Sequence, residues 1–166
     1  MREWIPTTQS AKGRLVMAAL EAFGAQGYGE VGVGALAAAA GVTTGSLYHH
    51  FGSKEGLYTT VRADVERRVL DRMEGAAAGR SDEPVPAQAR AAVMVGFDYA
   101  TSRGFVHLLA EPPRAGAADP IETLLVRLLG DPLGRLVLAA WRTALSVSVT
   151  DERVAEARVA LATLLP

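Results

Sequence analysis

Cysteine is absent from this 166-residue chain. That excludes a disulfide framework, a thiolate metal site and a cysteine nucleophile, and it suits a reducing compartment. Long apolar runs are missing too. No stretch reaches the roughly 18 consecutive apolar residues that a spanning helix needs, and the first fifteen residues hold no apolar segment of signal-peptide length. The expected location is the cytoplasm. A surplus of positive charge is also lacking: the formal net charge is −1, with eight Lys or Arg against eight Asp or Glu over residues 1–75 and nine against ten over 76–166. Neither half is basic enough to announce a nucleic-acid protein, so DNA binding would have to rest on local charge placement and on motif geometry. Lysine itself is scarce, with Lys12 and Lys54 the only two among 17 cations. Gly-x-Ser-x-Gly, the phosphate loop and His-Glu-x-x-His do not occur, so no enzymatic activity is expected. Gly27-Tyr-Gly-Glu-Val-Gly32 spells a dinucleotide fingerprint, but that motif must follow a strand and here a helix precedes it. No cofactor is expected, and no metal.

What is present is helical periodicity. Hydrophobic residues make up 49% of the chain and recur at helical spacing outside the Gly and Pro clusters, which predicts an all-α protein of one core or two small subdomains. A first helix is predicted from Ser10 to Gln26, with Leu15, Ala19 and Phe23 inward, Val16 and Leu20 beside them, and Gly27 as terminator. Short helices follow at Ala35–Ala40, stopped by Gly41, and at Thr43–Phe51. A longer one begins at Ser53, carries Leu57, Val61, Val65, Val69 and Met73 in an i, i+4 series, and closes near Gly75. Residues 76–88 read as an exposed connection and as the subdomain boundary. Beyond it come helices at Ala89–Ser102 and Gly104–Ala110, then three more. Asp119-Pro120, Asp131-Pro132 and Thr150-Asp151 are their expected starts.

The segment from Val33 to Leu57 carries the chemistry. Leu36, Ala37 and Ala40 give one helix an inner face, Gly41 supplies a left-handed turn residue, and Val42 plugs the corner, as in a helix-turn-helix. At about 100° per residue, Leu47 and Phe51 of the second helix point inward. Gly45 and His49 then point outward, flanked by Ser46 and Tyr48. Thr43 and Thr44 stand at the helix N-terminus, where free N–H groups favour a phosphate. His50 and Lys54 are placed to reach a sugar-phosphate backbone. Adjacent His49 and His50 diverge by about 100°, too far for one metal ion.

The string Ala-Gly-Val-Thr-Thr-Gly-Ser-Leu-Tyr-His-His-Phe-Gly-Ser-Lys-Glu-Gly-Leu resembles the signature of the TetR family of transcriptional regulators. The resemblance covers residues 10–57 and includes Ala18, Ala22, Phe23 and Gly27-Tyr28. It implies an all-α homodimer with an N-terminal three-helix domain for double-stranded operator DNA, residues 1–54. A C-terminal helical domain for a small-molecule effector and dimerisation follows, residues 55–166, joined by a long helix over about 53–75. In that family the positions of Thr43, Thr44, Gly45, Tyr48, His49, His50 and Lys54 commonly touch DNA. Here the recognition helix has no Arg or Lys, so bidentate guanine readout is not expected. Specificity would lean on Tyr48, His49, methyl contacts and DNA shape.

In the C-terminal part, Met94, Phe97, Asp98, Tyr99, Phe105, His107 and Trp141 combine apolar area with polar handles, as a ligand pocket does, while ordinary core packing accounts for most of them singly. Two stripes suggest a four-helix dimer interface: Leu133, Val137, Ala140, Trp141 and Ala144, and Val154, Ala157, Leu161 and Leu164. The functional expectation is a ligand-responsive repressor binding an inverted repeat as a homodimer. Two competing readings are an all-helical small-molecule-binding protein or enzyme that keeps the hairpin as scaffold, and a helical dimerisation protein.

Overall fold

The computed structural model describes residues 10–114, 117–148 and 150–165. The opening residues 1–9, most of the segment read above for a signal peptide, lie outside the described residues. Among the described residues there are nine helices and no strand: α1 (Ala11–Gln26), α2 (Val33–Ala39), α3 (Thr44–Phe51), α4 (Lys54–Ala78), α5 (Val85–Ser102), α6 (Val106–Ala110), α7 (Pro120–Leu129), α8 (Leu133–Val147) and α9 (Asp151–Leu164). The all-α expectation holds. None of these helices is long and apolar enough to cross a membrane. The chain divides into two compact units, Met1–Asp64 and Val65–Pro166. The division therefore falls inside α4, not in the 76–88 segment.

In the first unit the local sequence signals act where they stand. The Ser10 hydroxyl accepts from the Gly13 N–H and caps α1. Leu15, Ala19 and Phe23 are buried, and Gly27, at φ 80°, ends the helix. Val31, Leu36, Ala37, Ala40, Leu47, Leu57, Tyr58 and Val61 complete this small core. Phe23, Tyr28 and Tyr58 form an aromatic trio, with ring centres 4.9 to 6.0 Å apart. The helix-turn-helix corner closes through Val42 N–H to the Ala37 carbonyl, with Gly41 at φ +63°. α2 begins at Val33, two residues earlier than expected.

The second unit buries the i, i+4 row of α4 (Val65, Val69, Met73) with Ala89, Val93 and Phe97 of α5, Leu124 and Leu125 of α7, and Leu138, Trp141 and Leu145 of α8. Two glycines allow close approaches. A Cβ on Gly96 would stand 2.8 Å from the Met73 side chain, and one on Gly134 would stand 2.6 Å from backbone atoms of Leu125 and Val126. The connection expected over 76–88 is shorter. Ala76, Ala77 and Ala78 extend α4, because alanines propagate a helix at no side-chain cost, and Pro84 and Pro86 open α5 at Val85. Arg80 pairs with Glu83 across the remaining turn, and Gln88 Nε2 donates to the Glu83 carbonyl. Asp119 caps α7 by accepting from the Ile121 and Glu122 N–H groups, and Thr150 caps α9. Asp131 does not cap α8: its carboxylate pairs with Arg135 one turn on.

Candidate nucleic-acid interface

α3 is built to present one face. The Thr43 hydroxyl accepts from the Ser46 N–H, which fixes the first turn, and Gly52 at φ 72° ends the helix with its N–H on the Tyr48 carbonyl. Leu47 is wholly buried and Phe51 half-buried, its ring 5.6 Å from Lys12 Nζ. With that side turned in, Thr43, Thr44, Gly45, Tyr48 and His49 are exposed, and Ser46 and His50 half-exposed. Tyr48 keeps 52% of its surface open, unusual for a large aromatic on so small a unit. The only non-neighbouring atom within 4 Å of a Cβ placed on Gly45 would be Thr43 Oγ1 at 3.6 Å, so the helix surface is flat there. No carboxylate lies on α3. The first-turn N–H groups therefore meet no competing negative charge on their own helix, and the helix dipole adds to their pull on an anion. The inward and outward assignments of Leu47 and Gly45 agree with the sequence reading.

Lys54 is arranged differently from that reading. Its Nζ donates to the Tyr28 carbonyl at 2.9 Å and the Val31 carbonyl at 3.0 Å, and it lies 4.0 Å from the centre of the Tyr28 ring. A side chain expected to reach outward for a phosphate is bonded inside its own unit. Arg14 is a polar contact that pattern reading missed: its Nε donates to the Ala40 carbonyl at the C-terminal end of α2. An arginine 26 positions from its acceptor leaves no local sequence signal.

In the second unit the expected pocket residues separate. Phe97 and Trp141 are wholly buried, and Trp141 Nε1 donates to the Val93 carbonyl at 3.2 Å. Phe105 is buried, and its ring meets the edge of Tyr99, whose face carries the Arg72 guanidinium at 3.8 Å. His107 is half-buried on α6. None of these five lines the groove that Met94 and Asp98 border. Met94 and Asp98 do border an open groove of about 650 Å³, together with Gly75, Gly79, Arg90 and Val95. Asp98 is no strained core acid, since its two oxygens accept from Arg158 Nε and Nη2 at 2.7 and 3.0 Å. Through that bond and its charge, Asp98 raises the Arg158 pKa.

The interface stripes need correction as well. Val137, Trp141, Ala144, Ala157 and Leu161 are buried within the single chain, so they have almost no surface left for a partner. Ala140 and Val154 are half-buried. The apolar side chains that α8 and α9 leave open are Leu133, Leu136 at 63% exposure, Val147, Val159 at 65% and Leu164.

Comparison with known proteins agrees with this geometry. Residues 15–61 match the family of bacterial regulatory proteins called the tetR family, a span running from α1 through α3 into α4. The HTH-type transcriptional regulatory protein RaaS of Mycobacterium tuberculosis is 44% identical over 75 residues, which is 45% of this chain and 34% of that protein. The match thus spans about a third of that relative's length. Among solved structures, the fatty acid degradation regulator FadR from Bacillus halodurans aligns with TM-score 0.73 at 15% identity, over 99% of this chain and 96% of its own. A putative tetR family transcription regulator from Shewanella sp. PV-4 aligns with TM-score 0.65 at 22% identity, over 95% and 96%. At those identities the structures establish the shared fold alone, while the helix-turn-helix segment supplies the sequence match. Residues 15–61, the helix-turn-helix and its flanking helices, thus match the tetR family of bacterial regulatory proteins.

Proposed function

We propose that the protein is a ligand-responsive repressor that binds an inverted-repeat operator as a homodimer in the cytoplasm and catalyses no reaction. The observation that carries the DNA reading is the outward face of α3: Gly45 flat, Tyr48 and His49 exposed, Thr43 and Thr44 at the amide end, and no carboxylate. Ser46 and His50 flank it. A helix of this kind enters a major groove with its N-terminal half against the base edges, and two copies about 34 Å apart read two half-sites. In this reading residues 1–54 hold the DNA and residues 55–166 hold the effector and the partner copy.

Dimerisation is supported by the open apolar residues Leu133, Leu136, Val147, Val159 and Leu164 on two adjacent helices, which one chain leaves in water. The groove beside Met94 and Asp98 supports an effector site, with Ala87, Ala91 and Val95 as apolar lining and Arg80, Glu83, Arg90 and Arg158 as charged lining. An effector acts here by favouring one spacing of the two recognition helices over another. The test is selection from a random DNA pool, followed by titration of the recovered duplex against increasing salt. The expected result is an enriched sequence with two-fold symmetry. Enrichment of a single asymmetric half-site, or of nothing, refutes the homodimeric operator reading.

A further inference from the structure

The two ends of the helix-turn-helix are joined by one side chain. Val31, whose carbonyl Lys54 holds, lies two residues before the start of α2, and Lys54 itself lies three residues after the end of α3. The connection it grips, Gly27 to Gly32, has three glycines and no helix or strand, and of its side chains only Tyr28 and Val31 pack inward. A Cβ on Gly29 or Gly32 would meet nothing within 4 Å. The N-cap position of α2 is Gly32, which has no side chain to cap with, whereas α1 and α3 are capped by Ser10 and Thr43. The ammonium adds from across the motif a polar anchor on the Tyr28 and Val31 carbonyls, beside the apolar packing of those two side chains.

We propose that Lys54 is a positioning residue. It clamps the approach to α2 against the exit of α3, and it affects DNA binding by setting the orientation of α3 rather than by neutralising a phosphate. The residue type supports this. Fifteen of the chain's 17 cations are arginine, yet lysine stands where two carbonyls converge on one point. A compact ammonium serves such a pair from one centre, whereas a planar guanidinium is shaped for a two-oxygen anion. The Tyr28 ring at 4.0 Å adds a cation–π contact on the same group.

The effect on DNA rests on α3 being the DNA-binding helix, so the test has one arm without DNA. In the free protein, Lys54→Met keeps the aliphatic stem and removes the donors. Hydrogen exchange of the Leu36 amide, which bonds the Gly32 carbonyl, should then accelerate by roughly tenfold, the worth of a bond to a charged donor. With DNA recovered by the wild-type protein, both Lys54→Met and Lys54→Arg should bind more weakly, with the slope of log K against log salt unchanged. Unaltered exchange at Leu36 overturns the clamp, and a Lys54→Met slope shallower by about 0.9 per protomer with full rescue by Lys54→Arg overturns the proposal by making Lys54 a phosphate contact. A third measurement needs no variant. Reductive methylation should modify Lys54 several-fold more slowly in the folded protein than in urea, and equal rates overturn the clamp. If the wild-type protein recovers no DNA sequence, the reading of α3 falls, while the exchange and methylation results still decide the clamp.

Discussion

Replacing Gly45 by leucine should move stability and DNA binding in opposite directions. On the stability side, only Thr43 Oγ1 lies near a Cβ at this position, at 3.6 Å, and the residue is exposed in the first turn of α3. Nothing has to shift. Leucine is the better helix former by roughly 0.8 kcal/mol, and for a chain of this size that raises Tm by about 2 °C. On the DNA side, the branched side chain stands at the centre of the proposed contact face and holds the helix backbone off the groove floor. Base contacts are lost while the charge is unchanged, so what disappears is discrimination, commonly about 10³-fold or more between specific and non-specific DNA. Thermal unfolding and fluorescence anisotropy on the recovered operator and a scrambled duplex measure the two effects. The expected result is a Tm at or above wild type with equal, weak binding to both duplexes. Retained discrimination would show that Gly45 does not face the bases, and a clear fall in Tm would show that it packs inside the protein.

Two other glycine substitutions should differ in sign: Gly75→Ala, with nothing within 4 Å of the new Cβ, should gain about 0.5–1 kcal/mol, whereas Gly134→Ala, 2.6 Å from the α7 backbone, should lose about 1–3 kcal/mol. Urea unfolding checks both, and equal midpoints would contradict the close approach of α7 and α8. Trp141→Phe removes the bond to the Val93 carbonyl from a wholly buried site and should cost about 2 kcal/mol with no change in oligomeric state; a shift toward monomer in sedimentation would place Trp141 at an interface after all. Leu136→Glu combined with Val159→Glu should yield folded monomer at micromolar concentration, because both side chains are open in the single chain. Leu161→Glu should unfold it, because that residue is buried. A double variant that sediments as a dimer refutes the α8 and α9 surface.

The helices themselves were legible in the order of residues. Ser10, Thr43, Asp119 and Thr150 cap as their side chains dictate, and Leu57, Val61, Val65, Val69 and Met73 are all buried as their spacing requires. These are local matters, settled within one or two turns of backbone, so sequence order is enough. The orientation of α3 belongs with them, because an eight-residue helix with Leu47 and Phe51 on one side leaves Gly45 and His49 only the other.

Partnership across the chain was a different problem. An apolar stripe states that it will be buried, not against what. Val137, Ala144, Ala157 and Leu161 have the spacing of an intersubunit bundle, yet their own chain covers them, because other helices of the second unit supply the opposing surface. Met94 and Asp98 border the groove, while Phe97, one residue from Asp98, is core, a difference of helix face that the composition of the segment cannot express. Lys54 shows the same limit at the level of one charge. Sequence establishes that a lysine follows the recognition helix, but only the folded path of the chain brings the Tyr28 and Val31 carbonyls, more than 20 positions away, within 3.0 Å of its ammonium. Periodicity and capping act between neighbours in sequence, whereas the use of a face or a donor depends on which distant groups the tertiary structure brings to it.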